Sequence, residues 1–322
     1  MLSDPIGIGT KNIYREIILQ VYRYQISDEN SDNEQLASFL IRQHRYSSRL
    51  LRRIKAEGMM TINGKDCWLC SRISPGDQIE ITLPEEYVDT EATDHPIDII
   101  YEDDEVLVVN KDDHCVTHPT KRHQTDTLSN YVANYYIKSG QKRKIRFINR
   151  LDTDTSGIVV IAKNKYVHHF IQSAKDEPEH EKTYTAFVHG RFPTRSGTIN
   201  APIGRVGEDT IVRRITADGK PCVTHYEVLE QYADAALVRL RLETGRTHQI
   251  RVHMNHIGHP VIGDPMYCDE ALPAYNMERQ ALHSTEMVLT LPTAGRKRFR
   301  ADFKTDMMML WKTLRQTADE GC

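Results

Sequence analysis

The sequence lacks the features of membrane-inserted and secreted proteins. No apolar run in its 322 residues approaches the roughly 20 residues that a membrane-spanning helix needs. Its first residues, MLSDPIGIGT, do not combine a basic start with an apolar stretch, so we expect no signal peptide. These absences favour a cytoplasmic protein, and the chain is long enough for two domains.

Patterns for metals and nucleotide cofactors are also missing. Cys67 and Cys70 form a C-x-x-C pair without a second close pair, so we expect ordinary thiols rather than a zinc site. His253, His256 and His259 lie near one another, but the H-E-x-x-H motif is absent. The sequence has neither a P-loop nor a glycine-rich dinucleotide fingerprint. It therefore predicts neither a metal nor a cofactor.

The net charge of −3 hides a strong segregation of charge along the chain. Residues 36–56 carry basic side chains and no acidic one, and residues 121–150 carry basic side chains against Asp126 alone. Residues 85–105 are strongly acidic and contain no lysine or arginine. We expect the two basic segments to bind a polyanion while a distant acidic segment cancels the total. The alternative is that the two basic segments are charged, solvent-exposed faces that bind no polyanion.

Composition divides the chain into four parts. Residues 1–34 predict an N-terminal arm or accessory strand, and residues 35–83 predict a compact module of two short helices and a β ribbon. Residues 84–96 are acidic with a proline at each end, which is typical of a linker. Residues 97–322 form the largest domain.

Strands outnumber helices after residue 97. Most of them fall into hairpins, which predicts an α+β domain built on a large, mainly antiparallel mixed sheet with flanking helices. One predicted helix, TLSNYVANYYIKSG, has Thr127 as its N-cap and Gly140 just past its end. Another, HQIRVHMNHIG, has Thr247 as its N-cap and Gly258 at its end.

Two aspartates, Asp152 and Asp154, lie between apolar runs in FINRLDTDTSGIVVIAKN. If FINRLD stays extended, Arg150 and Asp152 point the same way, and the guanidinium favours an ionised carboxylate that can act as nucleophile or base. An aspartate that caps its own loop fits the spacing as well. Asp154-Thr155-Ser156-Gly157 spells the D-T-S-G of pepsin-like proteases, but that chemistry needs a second such loop, which only a homodimer would supply.

Four ordered motifs resemble those of the RluA-type pseudouridine synthases. They are R-L-D-x-x-T-S-G at residues 150–157, EKTYTAFVHG, GKPCVTHYEVL and ETGRTHQIRVHMNHIGHPVIGDPMY. Upstream, VLVVNK and THP occupy the expected places, and the resemblance spans residues 97–300. The chain departs from the family pattern at Asp112, Asp113 and His114, which replace a proline and a small residue–glycine pair. Asn149 also replaces a frequent histidine.

The module before the linker resembles the S-four-like RNA-binding domain. The S-x-R at Ser47–Arg49, the I-N-G at Ile62–Gly64 and the P-G-D at Pro75–Asp77 carry this resemblance. The apolar spacing predicts two short helices with a break around Tyr46–Ser48, and the resemblance implies that the module binds structured RNA without doing chemistry.

The resemblance implies an RNA isomerase that needs no cofactor. The enzyme would detach uracil from C1′ of a uridine, rotate it and rejoin it through C5, after flipping the base out of structured ribosomal or transfer RNA. Asp152 would be essential and would attack C1′ or remove the C2′ proton. The implied catalytic residues are Asp152, Tyr184 and Arg251. The implied substrate-binding residues are Arg150, Leu282, Arg246, His248 and Gln249.

Each implied role has a structural alternative. Tyr184 and Leu282 fit ordinary core positions, and Arg251 fits a solvated helix with Arg246 as the rival partner of Asp152. The expected RNA contacts are Arg49, Arg52, Arg53, Lys121, Arg122, Lys142 and Arg143. We expect a monomer, and a non-catalytic RNA-binding or ribosome-assembly protein is the alternative function.

Overall fold

The computed structural model describes residues 20–27, 31–175, 177–207, 210–269, 271–273 and 275–319. The chain divides into two compact units. One consists of Met1–Ile41 with Ser48–Glu85, and the other of Arg42–Ser47 with Glu86–Cys322. Most of the predicted N-terminal arm lies outside the described residues. Within the described residues, no helix is both long and apolar enough to cross a membrane.

The first unit is a small antiparallel sheet with two helices. Its elements are β1 (Val21–Gln25), β2 (Glu34–Gln35), α1 (Leu36–His44), α2 (Ser48–Glu57), β3 (Met59–Ile62), β4 (Lys65–Asp66), β5 (Arg72–Ile73) and β6 (Gln78–Thr82). The main sheet has the order β1-β6-β3-β4, and β2 pairs with β5. Asn63 and Gly64 both have positive φ, as the tight turn between β3 and β4 requires. The predicted helix pair with its break is confirmed.

The second unit is built on one large sheet. Its elements are β7 (Ile99–Glu102), β8 (Val106–Lys111), α3 (Leu128–Lys138), β9 (Arg146–Phe147), β10 (Ser156–Ala162), α4 (Lys165–Ser173), β11 (Glu181–His189), β12 (Ser196–Asn200), β13 (Ile203–Arg205), β14 (Arg213–Ile215), β15 (Val223–Gln231), β16 (Ala235–Leu242), α5 (Gln249–His256), β17 (Leu282–Leu291), β18 (Gly295–Arg300) and α6 (Thr305–Asp319). The strand order is β12-β15-β16-β11-β17-β10-β8-β7, with β18 on β17 and β9 on β10. Pairing is antiparallel except between β10 and β17, so the predicted α+β class is confirmed.

Apolar residues cover both faces of the sheet at β8 and β10. Alternate residues of β8 point to opposite faces, so Leu107 and Val109 join one core while Val106 and Val108 join the other. Helices α3, α5 and α6 pack their buried residues into the first core, and α4 packs into the second. Because both faces of the sheet are buried at β8 and β10, successive residues of these strands are apolar instead of alternating with polar ones.

Gly157 lets β10 pass close to β17. Its φ is +113°, and a Cβ at this position would lie 2.4 Å from the backbone oxygen of Ser284. An L-residue with a side chain therefore fits neither the conformation nor the space. The glycine fixes the start of β10, which directly follows the turn that carries Asp152.

Two local predictions are wrong. Helix α5 begins at Gln249, and its N-cap is His248 in a left-handed conformation (φ 58°), not Thr247. The extended backbone considered for FINRLD is not found, because β9 ends at Phe147 and Arg150 and Asp152 therefore do not lie on one face of a strand. Tertiary contacts override the local pattern at both places.

The acidic segment is not distant from the second basic segment. Glu86 forms two hydrogen bonds with Arg146 at 2.7 and 2.6 Å, and Asp94 lies 2.6 Å from Lys138. Asp89 contacts Lys144, and Asp104 lies 3.8 Å from Arg143. The expectation of a remote acidic stretch is corrected, because these carboxylates neutralise the basic side chains directly.

Candidate active site

Asp152 lies in a turn whose backbone is held by three side chains. Lys111 donates to the carbonyl of Thr153 at 2.9 Å and to two more carbonyls in its own loop. Arg279 donates to the carbonyl of Asp154 at 3.0 Å, and Thr117 donates to that of Leu151 at 3.2 Å. Successive carbonyls around the aspartate are therefore fixed. Lys111 and Thr117 come from the VLVVNK and THP stretches, which gives those motifs a physical role.

The cation beside Asp152 is Arg251. Its Nη1 lies 3.5 Å from Asp152 Oδ2, while its Nε and Nη2 donate to Asp264 at 2.6 and 2.7 Å. Burial opposes the charge of Arg251, but the hydrogen bonds that Arg251 donates to Asp264 and the negative charge of Asp264 outweigh it and raise the pKa of Arg251. Arg251 is therefore a fixed, charged group with one nitrogen left for Asp152.

His248 is the second neighbour of Asp152. Its Nε2 lies 3.7 Å from Asp152 Oδ2, and its Nδ1 lies 2.8 Å from the hydroxyl of Tyr267. That hydroxyl accepts the backbone N–H of Arg213 at 2.9 Å, which leaves its proton for Nδ1. Burial lowers the pKa of His248, so the ring is neutral with its proton on Nε2, facing Asp152.

Tyr184 and Leu282 supply the apolar side of the site. Tyr184 lies on β11, and Leu282 pairs with Ala186 of β11 at the start of β17. Both side chains are buried. Burial and the negative charge of Asp152 raise the pKa of Tyr184 to about 12, so its hydroxyl stays protonated at neutral pH.

The structure brings the predicted catalytic and substrate-binding residues into one cleft of about 260 Å³. It is lined by Asp152, Tyr184, Arg251, Arg150, Leu282, Arg246, His248 and Gln249, among others. Arg150 and Arg246 are exposed at its rim. The side chain of Gln249 donates to Val223 and Thr224 and accepts from Thr244 and the backbone of Arg246, so it braces the loop.

Comparison with known proteins decides the family. A family model described as RNA pseudouridylate synthase matches residues 105–256. The chain is 39% identical over 270 residues to the uncharacterized RNA pseudouridine synthase YjbO of Bacillus subtilis, a match that covers 83% of this chain and 94% of the relative. The chain belongs to the RluA-type RNA pseudouridine synthase family.

Other relatives agree with this assignment. The synthase is 34% identical over 273 residues to ribosomal large subunit pseudouridine synthase D of Escherichia coli, covering 80% of this chain and 83% of the relative. The solved structure of Human RNA Pseudouridylate Synthase Domain Containing 1 matches with a TM-score of 0.55 at 26% identity, covering 68% of this chain and 95% of that chain. The protein is therefore an RNA-modifying isomerase, and nothing supports the protease alternative.

The loop that departs from the family pattern is tied down by ion pairs. Asp112 lies 2.6 Å from Lys304, and Asp113 lies 3.5 Å from Arg279. His114 has a φ of 53°, and its Nδ1 lies 2.9 Å from Asp154. Asp154 thus faces this loop and does not line the cleft of the synthase.

Sequence reasoning missed the groups that support the site. Asp264 and Tyr267 lie in the GDPMY stretch of the synthase, but their partners come from helix α5 and its N-cap. Arg279 is 2% exposed and donates to both oxygens of Asp306. A buried charged residue requires a partner of opposite charge, but the spacing of the motifs does not identify that partner.

The predicted RNA contacts of the synthase differ in availability. Among the described residues, no carboxylate lies within ion-pair distance of Arg49, Lys121, Arg122 or Lys142, and all four are exposed. Arg52 is exposed on α2, whereas Arg53 pairs with Glu57 at 2.8 Å. The side chain of Arg143 is 13% exposed and faces Asp104.

In the described part of the chain, no group of three or more His, Cys, Asp or Glu side chains is arranged to hold a metal.

Proposed function

We propose that this synthase converts uridines of ribosomal RNA to pseudouridine with Asp152 as the essential carboxylate. The observation that carries the proposal is a partly exposed carboxylate that faces a cleft together with a buried, charged Arg251. The ribosomal substrate is supported by the similarity to a synthase whose name specifies the ribosomal large subunit. Transfer RNA remains the second candidate.

Asp152 starts the reaction in its ionised form. It either attacks C1′ of the uridine or removes the proton at C2′, and uracil leaves with the glycosidic electrons in both routes. After the base rotates, its C5 bonds to C1′. This breaks the Asp152–C1′ bond in the first route, and in the second route it is accompanied by return of the proton from Asp152 to C2′. C5 then loses its proton and N1 gains one, directly or by way of solvent, so no atom is lost overall. Arg251 and the Nε2–H of His248 stabilise the carboxylate before attack and after its release.

Tyr184 acts as an aromatic wall and a hydrogen-bond donor. With a pKa of about 12 it holds its proton at neutral pH, which makes it a poor base in the resting enzyme. Its ring and Leu282 give the detached uracil an apolar surface on which to rotate. Gln249 serves the site by bracing the loop before α5 rather than by contacting the base.

The basic groups at the rim of the cleft and beyond it bind the RNA backbone. Arg150 and Arg246 stand at the rim, where a flipped uridine enters and leaves a gap in the RNA stack. Lys121, Arg122 and Lys142 are exposed for phosphate contacts, as are Arg49 and Arg52 on α2. The module of residues 35–83 serves as an S-four-like RNA-binding domain, and the enzyme acts as a cytoplasmic monomer.

The test is a pseudouridine map of total RNA from cells with the protein, without it and with Asp152→Asn. We expect one or a few ribosomal sites to vanish equally in the deletion and variant strains. Asp154→Asn is the matched control, because Asp154 lies two residues away but faces His114 instead of the cleft. Pseudouridine sites that persist with Asp152→Asn would refute the role of Asp152. Sites lost from transfer RNA would identify transfer RNA, not ribosomal RNA, as the substrate.

A further inference from the structure

Trp68 is an exposed aromatic side chain on the first unit that the proposed reaction does not use. It is one of two tryptophans in the chain and remains 63% exposed. Tryptophan is large and apolar, so such exposure leaves a favourable contact surface unused in the free protein.

The turn that carries Trp68 is held rigidly. The backbone N–H of Trp68 donates to the hydroxyl of Ser71 at 3.0 Å, and the N–H of Ser71 returns to the carbonyl of Trp68 at 2.9 Å. The start of α1 anchors the same turn, since Leu36 donates to the carbonyl of Ser71 and Ala37 to that of Leu69. The backbone that carries the ring is thus fixed before binding, so the turn itself loses little conformational entropy on binding.

A cation from α2 lies over the ring. Lys55 Nζ lies over the ring, 5.8 Å from its centre. Arg49, Arg52 and Lys55 follow one another every third residue of α2, so they form a row that turns by about 60° per step and ends at Trp68. An aromatic platform at the end of a row of cations matches a nucleic-acid strand, whose phosphates and bases alternate.

We propose that Trp68 stacks on an unpaired base of the RNA while Arg49, Arg52 and Lys55 contact its phosphates. The inference rests on the RNA-binding role proposed for this module and adds a requirement for a single-stranded base. A paired stretch offers phosphates but no accessible base face, so this surface distinguishes looped RNA from continuous duplex.

The binding test compares an RNA hairpin that has a wide loop with a blunt duplex of the same stem. For the full-length protein, we expect Trp68→Ala to weaken hairpin binding about 5- to 150-fold, the range for one base stacked on an aromatic ring. Duplex binding and the salt dependence should not change, because no charge is removed. Trp68→Phe should retain most of the affinity, and matched thermal unfolding would show that both variants are folded.

A spectroscopic measurement reports the stacking directly. In Trp311→Phe, Trp68 is the remaining tryptophan, and the hairpin should quench its fluorescence while the duplex should not. If Arg49→Ala and Arg52→Ala weaken binding but Trp68→Ala does not, the stacking inference fails and the module's RNA role stands. If none of the three variants weakens binding, that role fails too, which leaves a protein as the partner of the ring.

Discussion

At the scale of single residues, the charge of the site depends on a buried pair beside Asp152. Arg251 gives two hydrogen bonds to Asp264, whose side chain is fully buried, and only its third nitrogen reaches Asp152. The motifs allowed prediction of Asp152, Tyr184 and Arg251 in one cleft. They did not predict Asp264 as the main partner, because pairing across thirteen residues depends on how α5 packs.

Asp264→Asn should damage both stability and activity. It leaves the buried guanidinium of Arg251 with a neutral partner, which we expect to cost about 3–5 kcal/mol of unfolding free energy. Urea unfolding and isomerisation assays measure the two effects. Glu227→Gln, which breaks the exposed pair with Arg239, is the control and should cost less than about 1 kcal/mol. Equal losses in the two variants would contradict the role of the buried pair.

At the scale of elements, strands and helices were predictable where burial of one face imposes a regular spacing of apolar residues. The apolar patterns after residue 97 predicted a strand-rich domain with most strands in hairpins, and α3 was predicted from its cap and its terminal glycine. The start of α5 was not predictable, because the left-handed backbone at His248 is imposed by contacts with Tyr267 and Asp152. Short strands β13 and β14 carry no such signal. Helix α6 does, since it buries Met307, Leu310 and Leu314 at helical spacing, but it was not predicted.

Gly157→Ala should separate β10 from β17 and shift the turn of Asp152. Its Cβ would meet the backbone of Ser284 at 2.4 Å, and its φ of +113° is strained for alanine. We expect a loss of several kcal/mol, beyond the roughly 1–2 kcal/mol of conformational strain alone. Gly295→Ala is the control: its φ is +66° and its Cβ meets open space, so strain alone applies. Similar melting temperatures for both variants would argue against the close approach.

At the scale of the whole chain, net charge is a poor guide to RNA binding. Carboxylates of residues 86–104 pair with basic side chains of residues 138–146, which are far from them in sequence. Composition revealed the two segments but not their contact, because the pairing depends on how the acidic segment lies along α3. The cations available to RNA are therefore fewer than the sequence suggests.

The salt dependence of RNA binding should separate paired from unpaired cations. Lys121→Ala with Lys142→Ala should lower the slope of log affinity against log salt by about 2, one for each lost phosphate contact. Lys144→Ala is the matched control, because Asp89 already neutralises that side chain. In Lys144→Ala, the slope of log affinity against log salt should fall by clearly less than 1. A full unit lost in the control would show that RNA displaces the carboxylate.

The acidic segment is an intramolecular anion that already occupies Lys138, Lys144 and Arg146. Glu86, Asp89 and Asp94 occupy positions that phosphates would otherwise take. Because these carboxylates are part of the same chain, their effective concentration at the cations does not depend on dilution. An RNA phosphate reaches Lys138, Lys144 or Arg146 only by displacing a carboxylate that is already in place, so contact at these three cations adds little to affinity. Selection among RNAs then depends on the cleft and on the unpaired cations.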